Sequence, residues 1–189
     1  KVSLPGGCAI GTRPVDLHLT ALKKLGAKIK IKDGYILAEA KKGLKGAIIN
    51  FPSISVGATE NALIAASKAK GTTILKNCAV EPEIIDLIIF LKKLGSFISL
   101  KGRTITIYES NLKSSNIFHE VIFDRIELGT YMIASALLAK KNITINKIDP
   151  KIVKNEINIL RMIGVKIIKK KSSIIVKKNK KLKKINIIT

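Results

Sequence analysis

Tryptophan is absent from this sequence, and all aromatic residues together make up 4% of it. Single-strand nucleic-acid binding relies on aromatic stacking platforms, and base reading relies on arginine forks. Only four of the 35 basic residues are arginine. The formal net charge of +22 therefore reads as lysine solvating exposed faces rather than as a nucleic-acid footprint, although such a field attracts small anions. Cysteine is nearly absent too. Cys8 and Cys78 supply neither a disulfide framework nor a CxxC pair. Two isolated histidines, His18 and His119, read as surface or cap residues. No metal-ligand spacing, P-loop or dinucleotide fingerprint is present, so no metal and no cofactor is expected. No apolar run approaches the ~18 residues that span a bilayer, so no membrane partner is expected. No leader-like stretch precedes residues 2–4, which already read as a strand. The default expectation is a cytoplasmic protein.

What is present is a globular composition, 47% hydrophobic and 25% charged, and a repeat. Gly26, Gly95 and Gly164 lie 69 residues apart, and Pro14, Pro82 and Pro150 lie 68 apart. A fixed period with the same punctuation marks an internal repeat. Each proline is expected to open a helix at its first turn and each glycine to close it. A hairpin follows in each copy: 27–32 with 35–40 around Asp33-Gly34, 96–100 with 104–108, and 165–169 with 173–177. Copies two and three carry a preceding helix and strand, at 57–69 with 72–77 and at 125–139 with 142–146. The unit is thus β-α-β-α-β-β over about 70 residues. The first copy holds only its second half, so the sequence is expected to begin inside a unit, and 185–189 reads as a strand awaiting a partner.

Helix 83–94 is apolar nearly all round, which predicts burial on every side. Lys28, Lys30 and Lys32 alternate with Ile29 and Ile31, giving that strand one wet face. Tyr35, Tyr108 and Tyr131 read as packing residues. Asp124 with Glu127 has capping-box spacing. A domain boundary is expected near residues 120–124, dividing 1–121 from 122–189.

One connection breaks the rule of the repeat. Copies two and three reach their helix through plain segments, but copy one inserts Gly6-Gly7-Cys8-Ala9-Ile10-Gly11 between Pro5 and Arg13. Function tends to be grafted on loops of that kind. A thiol near Arg13 and near a helix N-terminus has its pKa lowered, which makes Cys8 a candidate acid, base or nucleophile. Cys78, following a strand, reads as a small buried hydrophobe. Two helix starts are suited to anions: Arg13-Pro14-Val15-Asp16-Leu17 and Ser55-Val56-Gly57-Ala58-Thr59. Together they suggest a diphosphate-sized ligand, with Asp16 free to accept from a neutral group such as a base edge.

The motifs at 6–18, 55–59, 81–84 and 124–130 closely resemble those of the enolpyruvyl transferases, and among these the members that act on UDP-N-acetylglucosamine. The resemblance runs the whole length without large gaps. It implies an α/β fold, a two-domain inside-out α/β barrel of repeated β-α-β-α-β-β units, here truncated. It implies transfer of the enolpyruvyl group from phosphoenolpyruvate to the 3-hydroxyl of UDP-N-acetylglucosamine, with phosphate released. Cys8 matches the loop cysteine that serves as general acid and is alkylated by fosfomycin. Arg13 matches an arginine that engages the anionic substrates. Arg13, Pro14, Val15, Asp16 and Leu17 match the loop around the uridine, and Ser53, Ile54, Ser55, Val56 and Gly57 match the segment that holds the nucleotide. Many relatives have lysine where Ser53 stands, which weakens the expected contact there. The family is roughly twice this length, so a missing remainder, with a Lys-Asn pair, a catalytic aspartate and further arginines, is an expected partner, and the 189 residues alone are expected to be inactive. The rival readings are the shikimate-pathway enolpyruvyl transferase, which lacks the cysteine loop, a basic nucleic-acid-binding module on the same repeat, and an inactive half that only packs against a partner.

Overall fold

The computed structural model describes residues 1–4, 6, 14–112, 116–178 and 182–186. In chain order they form β1 (Val2–Ser3), α1 (Asp16–Lys24), β2 (Lys28–Lys32), β3 (Tyr35–Glu39), β4 (Ile48–Asn50), α2 (Val56–Ala66), β5 (Thr73–Lys76) and α3 (Pro82–Lys93). There follow β6 (Phe97–Lys101), β7 (Thr104–Tyr108), α4 (Arg125–Leu138), β8 (Ile143–Asn146), α5 (Lys154–Met162), β9 (Ile167–Lys169) and β10 (Ser173–Val176). Two units are distinguished, Lys1–Glu120 and Val121–Thr189. No helix among the described residues is long and apolar enough to cross a membrane.

The repeat is visible in how its helices end. Gly26, Gly95 and Gly164 have φ of 96°, 97° and 101°, a region that side chains with a β-carbon resist. Each glycine amide donates to the carbonyl three residues back, on Lys23, Lys92 and Arg161. Each following amide, of Ala27, Ser96 and Val165, donates to the carbonyl five residues back. This Schellman closure turns the chain from helix into strand, and it recurs three times with the same bonds. The next strand returns through a tight turn. In the first copy Asp33 and Gly34, both at positive φ, bring Lys32 opposite Tyr35, as a two-residue turn between right-twisted strands requires.

Three sheets result, in the orders β1-β3-β2, β4-β5-β7-β6 and β8-β10-β9. In each the last strand of the unit lies between its predecessor and the strand ahead of the helix. All pairings between these strands are antiparallel except β4 with β5, and an isolated parallel bridge joins Lys45 to Lys70. In the first unit α2 buries Ala58, Ala62, Leu63 and Ala66 in a cluster with Ala21 of α1 and Leu25 at its C-terminal cap, Ile84 and Ile88 of α3, and Ile105 and Ile107 of β7. In the second unit Met132, Ile157, Ile174 and Val176 form the corresponding centre.

Several expectations are corrected. Only Pro82 opens its helix, and Glu81 before it is extended (φ −60°, ψ 158°), as a residue preceding proline must be. Pro14 lies outside α1, because Val15 (φ −112°, ψ 11°) is the non-helical cap. Pro150 belongs to a separate turn in which the Asp149 carboxylate accepts from the Lys151 amide at 2.9 Å, so α5 begins at Lys154. Helix α3 is not buried all round: Ile84, Ile88 and Leu91 form its inner stripe, and Ile89 is 46% exposed. Tyr35, Tyr108 and Tyr131 are all exposed rather than packed. His119 is neither surface nor cap. It is partly buried, with Nε2 3.1 Å from Asp86 Oδ2 and its ring against Phe90. Residues 185 and 186 form no strand, and the rest of that expectation lies outside the described residues. The third copy has no strand ahead of α4 among the described residues.

Candidate functional site

Helix α1 begins without a side-chain cap. Its first-turn amides have no acceptor within the helix, except that Leu19 N–H reaches the Val15 carbonyl at 3.0 Å. Asp16 stands exposed in that turn. Helix α2 is capped by Ser55, whose Oγ accepts from the Ala58 amide at 3.3 Å, and no acidic residue lies in its first turn. Its positive end is therefore not neutralised by its own side chains.

Thr59 fixes that helix start from below. Its hydroxyl donates to the Ser55 carbonyl at 2.7 Å and accepts from the Ala79 amide at 3.1 Å. The side chain is fully buried and joins the first turn of α2 to the segment that follows β5. Sequence reasoning missed this role; the i, i+4 spacing of Ser55 and Thr59 was the available signal, since hydroxyls at that spacing bond back to the carbonyl.

Gly57 is where the two helix starts meet. A β-carbon there would stand 3.1 Å from Nε2 of His18, so the imidazole of α1 rests against the bare backbone of α2. The neighbour that this glycine admits is another part of the protein. The contact joins the first turn of α1, at His18, to the first turn of α2, at Gly57. Around this centre Pro14, Ser53 and Ile54 are exposed, and Val15, Leu17, Ser55, Val56 and Gly57 are half-buried. Cys8 and Arg13 lie outside the described residues, as does most of the inserted loop.

The arrangement offers two amide-rich helix ends side by side, a carboxylate at Asp16 and an apolar side chain at Ile54. An anion with a neutral donor attached suits that set of groups. The other two quoted motifs have local structural jobs: Glu81 accepts from the Val80 amide at 2.8 Å ahead of α3, and Asp124 caps α4 by accepting from the Ile126 and Glu127 amides. Cys78 is fully buried. Burial pushes its thiol up to about 11, against a weaker opposing pull from a backbone hydrogen bond with Ile105. Among the described residues no group of three or more His, Cys, Asp or Glu side chains is placed to hold a metal ion.

All 189 residues match the family described as EPSP synthase (3-phosphoshikimate 1-carboxyvinyltransferase). The chain is similar to the UDP-N-acetylglucosamine 1-carboxyvinyltransferase of Pelagibacter ubique (strain HTCC1062), with 55% identity over all of this chain and 45% of that protein. It is similar to the protein of the same name from Endomicrobium trichonymphae, with 49% identity over the same shares. The chain thus spans a little under half the length of these curated relatives. Among solved structures, the enolpyruvyl transferase NikO from Streptomyces tendae superimposes with a TM-score of 0.77 over 90% of this chain and 44% of that one, at 21% identity. That likeness concerns the α/β fold.

Proposed function

The chain belongs to the EPSP synthase family of enolpyruvyl transferases, and on that premise we propose that it forms the cysteine-loop and nucleotide-holding part of an enzyme that transfers enolpyruvate to UDP-N-acetylglucosamine. The preference for this acceptor over 3-phosphoshikimate rests on relatives 49–55% identical over the full chain that carry its name. The observation that carries the reading is the meeting of α1 and α2 at Gly57 and His18, which joins the two stretches singled out for the nucleotide.

The chemistry divides as follows. The 3-hydroxyl of the sugar gives its proton to a base in the remainder of the enzyme and bonds through oxygen to C2 of phosphoenolpyruvate while Cys8 delivers a proton to the C3 methylene, giving a tetrahedral adduct. Loss of a C3 proton then restores the double bond as the C2–O bond to phosphate breaks. Arg13 pairs with the anionic groups. The amides at the starts of α1 and α2 face the diphosphate, Asp16 accepts from the uracil N–H, and Ile54 with Pro14 borders the base. The reaction stands at the opening of peptidoglycan synthesis in the cytoplasm of a dividing bacterium.

Titrating UDP-N-acetylglucosamine into the 189-residue chain is expected to shift the amide resonances of Asp16, Leu17, Val56 and Gly57. Binding that leaves all four unmoved, or no binding, would sink the assignment. Phosphate release from both substrates is expected to be absent for the chain alone. Turnover by it would show that the remainder of the relatives' length is not needed.

A further inference from the structure

Every copy of the repeat leaves the first strand of its hairpin at a sheet edge: β2, β6 and β9. An edge strand presents unpaired backbone groups, and proteins commonly guard such edges with lysine. Strand β2 does so with Lys28, Lys30 and Lys32. Strand β9 follows Lys166, ends on Lys169 and is followed by Lys170 and Lys171. Strand β6 reads Phe97-Ile98-Ser99-Leu100-Lys101 and carries a single lysine at its far end.

Alignment on the three helix-closing glycines puts Phe97 on the position that Lys28 and Lys166 hold in the other copies. The neighbouring strand follows suit. Lys28 faces Glu39 across β2 and β3, whereas Phe97 faces Tyr108 across β6 and β7. Phe97 is 67% exposed and Tyr108 49%, so an aromatic pair stands on the solvent face of an unguarded edge. Beside it runs an open groove of about 430 Å³ bordered by Lys92, Ser96 and Ser99. Folding does not require this: the same hairpin closes in the other two copies with lysine at that place.

We propose that the β6 edge is a docking surface for an extended acidic peptide of a partner protein, which adds as a strand, sets an apolar side chain on Phe97 and Tyr108, and brings carboxylates to Lys92 and Lys101. Strand addition takes its affinity from main-chain bonds and its selectivity from alternate side chains. The acidic character follows from charge. A chain of net charge +22 repels a second copy of itself and attracts an anionic partner.

The test uses the full 189-residue chain and two blocked hexapeptides, Asp-Phe-Thr-Val-Asp-Glu and the same peptide with lysine at its three acidic positions. The acidic peptide is expected to shift the amide resonances of Phe97 to Lys101, and the Phe97→Lys variant to weaken its binding at least tenfold. The lysine peptide is expected to bind at least tenfold more weakly. The proposal is overturned if the acidic peptide does not bind, if either change leaves affinity intact, or if the shifts fall elsewhere. It is also overturned if sedimentation shows the chain associating with itself in a way that Phe97→Lys abolishes, which would give the edge to a second copy.

Discussion

A β-carbon at position 46 would stand 2.3 Å from the carbonyl oxygen of Thr72 and 2.8 Å from the backbone of Gly71. Those neighbours are main chain and cannot swing aside as a side-chain tip would. The Gly46 amide also donates to the Lys70 carbonyl at 2.7 Å, which holds the two segments at that spacing. Gly46→Ala is therefore expected to cost roughly 2–4 kcal/mol, the range of overpacking with backbone displacement, read as a lower urea midpoint with unchanged slope. The two thiols make a second test at this scale. Cys78 is buried, with its pKa raised to about 11, and the thiolate is the reactive form. Iodoacetamide near neutral pH is expected to add one equivalent to the folded chain, on Cys8. Mass spectrometry showing two equivalents without denaturant would contradict that placement of Cys78.

At the scale of elements, α2 and α3 bring two carboxylates into mutual influence. Burial first, and the charge of Glu83 second, raise the Glu60 pKa above its ordinary 4.5. An acid whose folded pKa is raised contributes nothing below the unfolded value. Stability is then lost as the pH climbs through the unfolded value toward the folded one, and it stays lowered above. Glu60→Gln should leave the urea midpoint unchanged near about pH 4 and raise it near about pH 7.5. A gain of equal size at both pH values would point to packing rather than charge.

How far these elements were legible depends on how local their causes are. The three glycine closures and the Asp33-Gly34 turn follow from bonds within six residues, so their period could be read directly from the sequence. The Asp149 turn was also local, yet its proline resembled Pro82 more than its surroundings did. Asp86 and His119 are 33 residues apart, and no pattern announces a pair separated by an irregular connection. The apolar girth of α3 was read correctly as composition, but its exposure at Ile89 depends on what lies beside it. The two helix starts proposed to take an anion were legible one at a time. That they share one place depends on Gly57 meeting His18, a contact between helices that no spacing encodes.

Over the whole molecule the charge sets the conditions. With 35 basic and 13 acidic residues, self-repulsion opposes the compact state. Raising the salt from about 0.01 M to about 0.15 M shortens the screening length from about 30 Å to about 8 Å. The urea midpoint of the chain is expected to rise over that range. A fall would mean that specific ion pairs outweigh the net repulsion. The same salt should weaken the binding of any anion at the starts of α1 and α2, so stability and affinity are expected to move in opposite directions.

The pairing of β4 with β5 bears on the order of events in folding. It is the one parallel pairing between strands among the described residues, and a parallel neighbour can be reached only through a crossover. That crossover is α2, with Ser55 and Gly57 at its head. Hairpins such as β2–β3 close over two residues and form early, whereas a crossover must first meet the entropy of a longer loop. The turn at the head of α2 is therefore among the last features to be completed. A chain with its hairpins formed and its crossover open would have much of its secondary structure and no candidate site, so recovery of ligand binding should lag behind recovery of the circular dichroism signal during refolding.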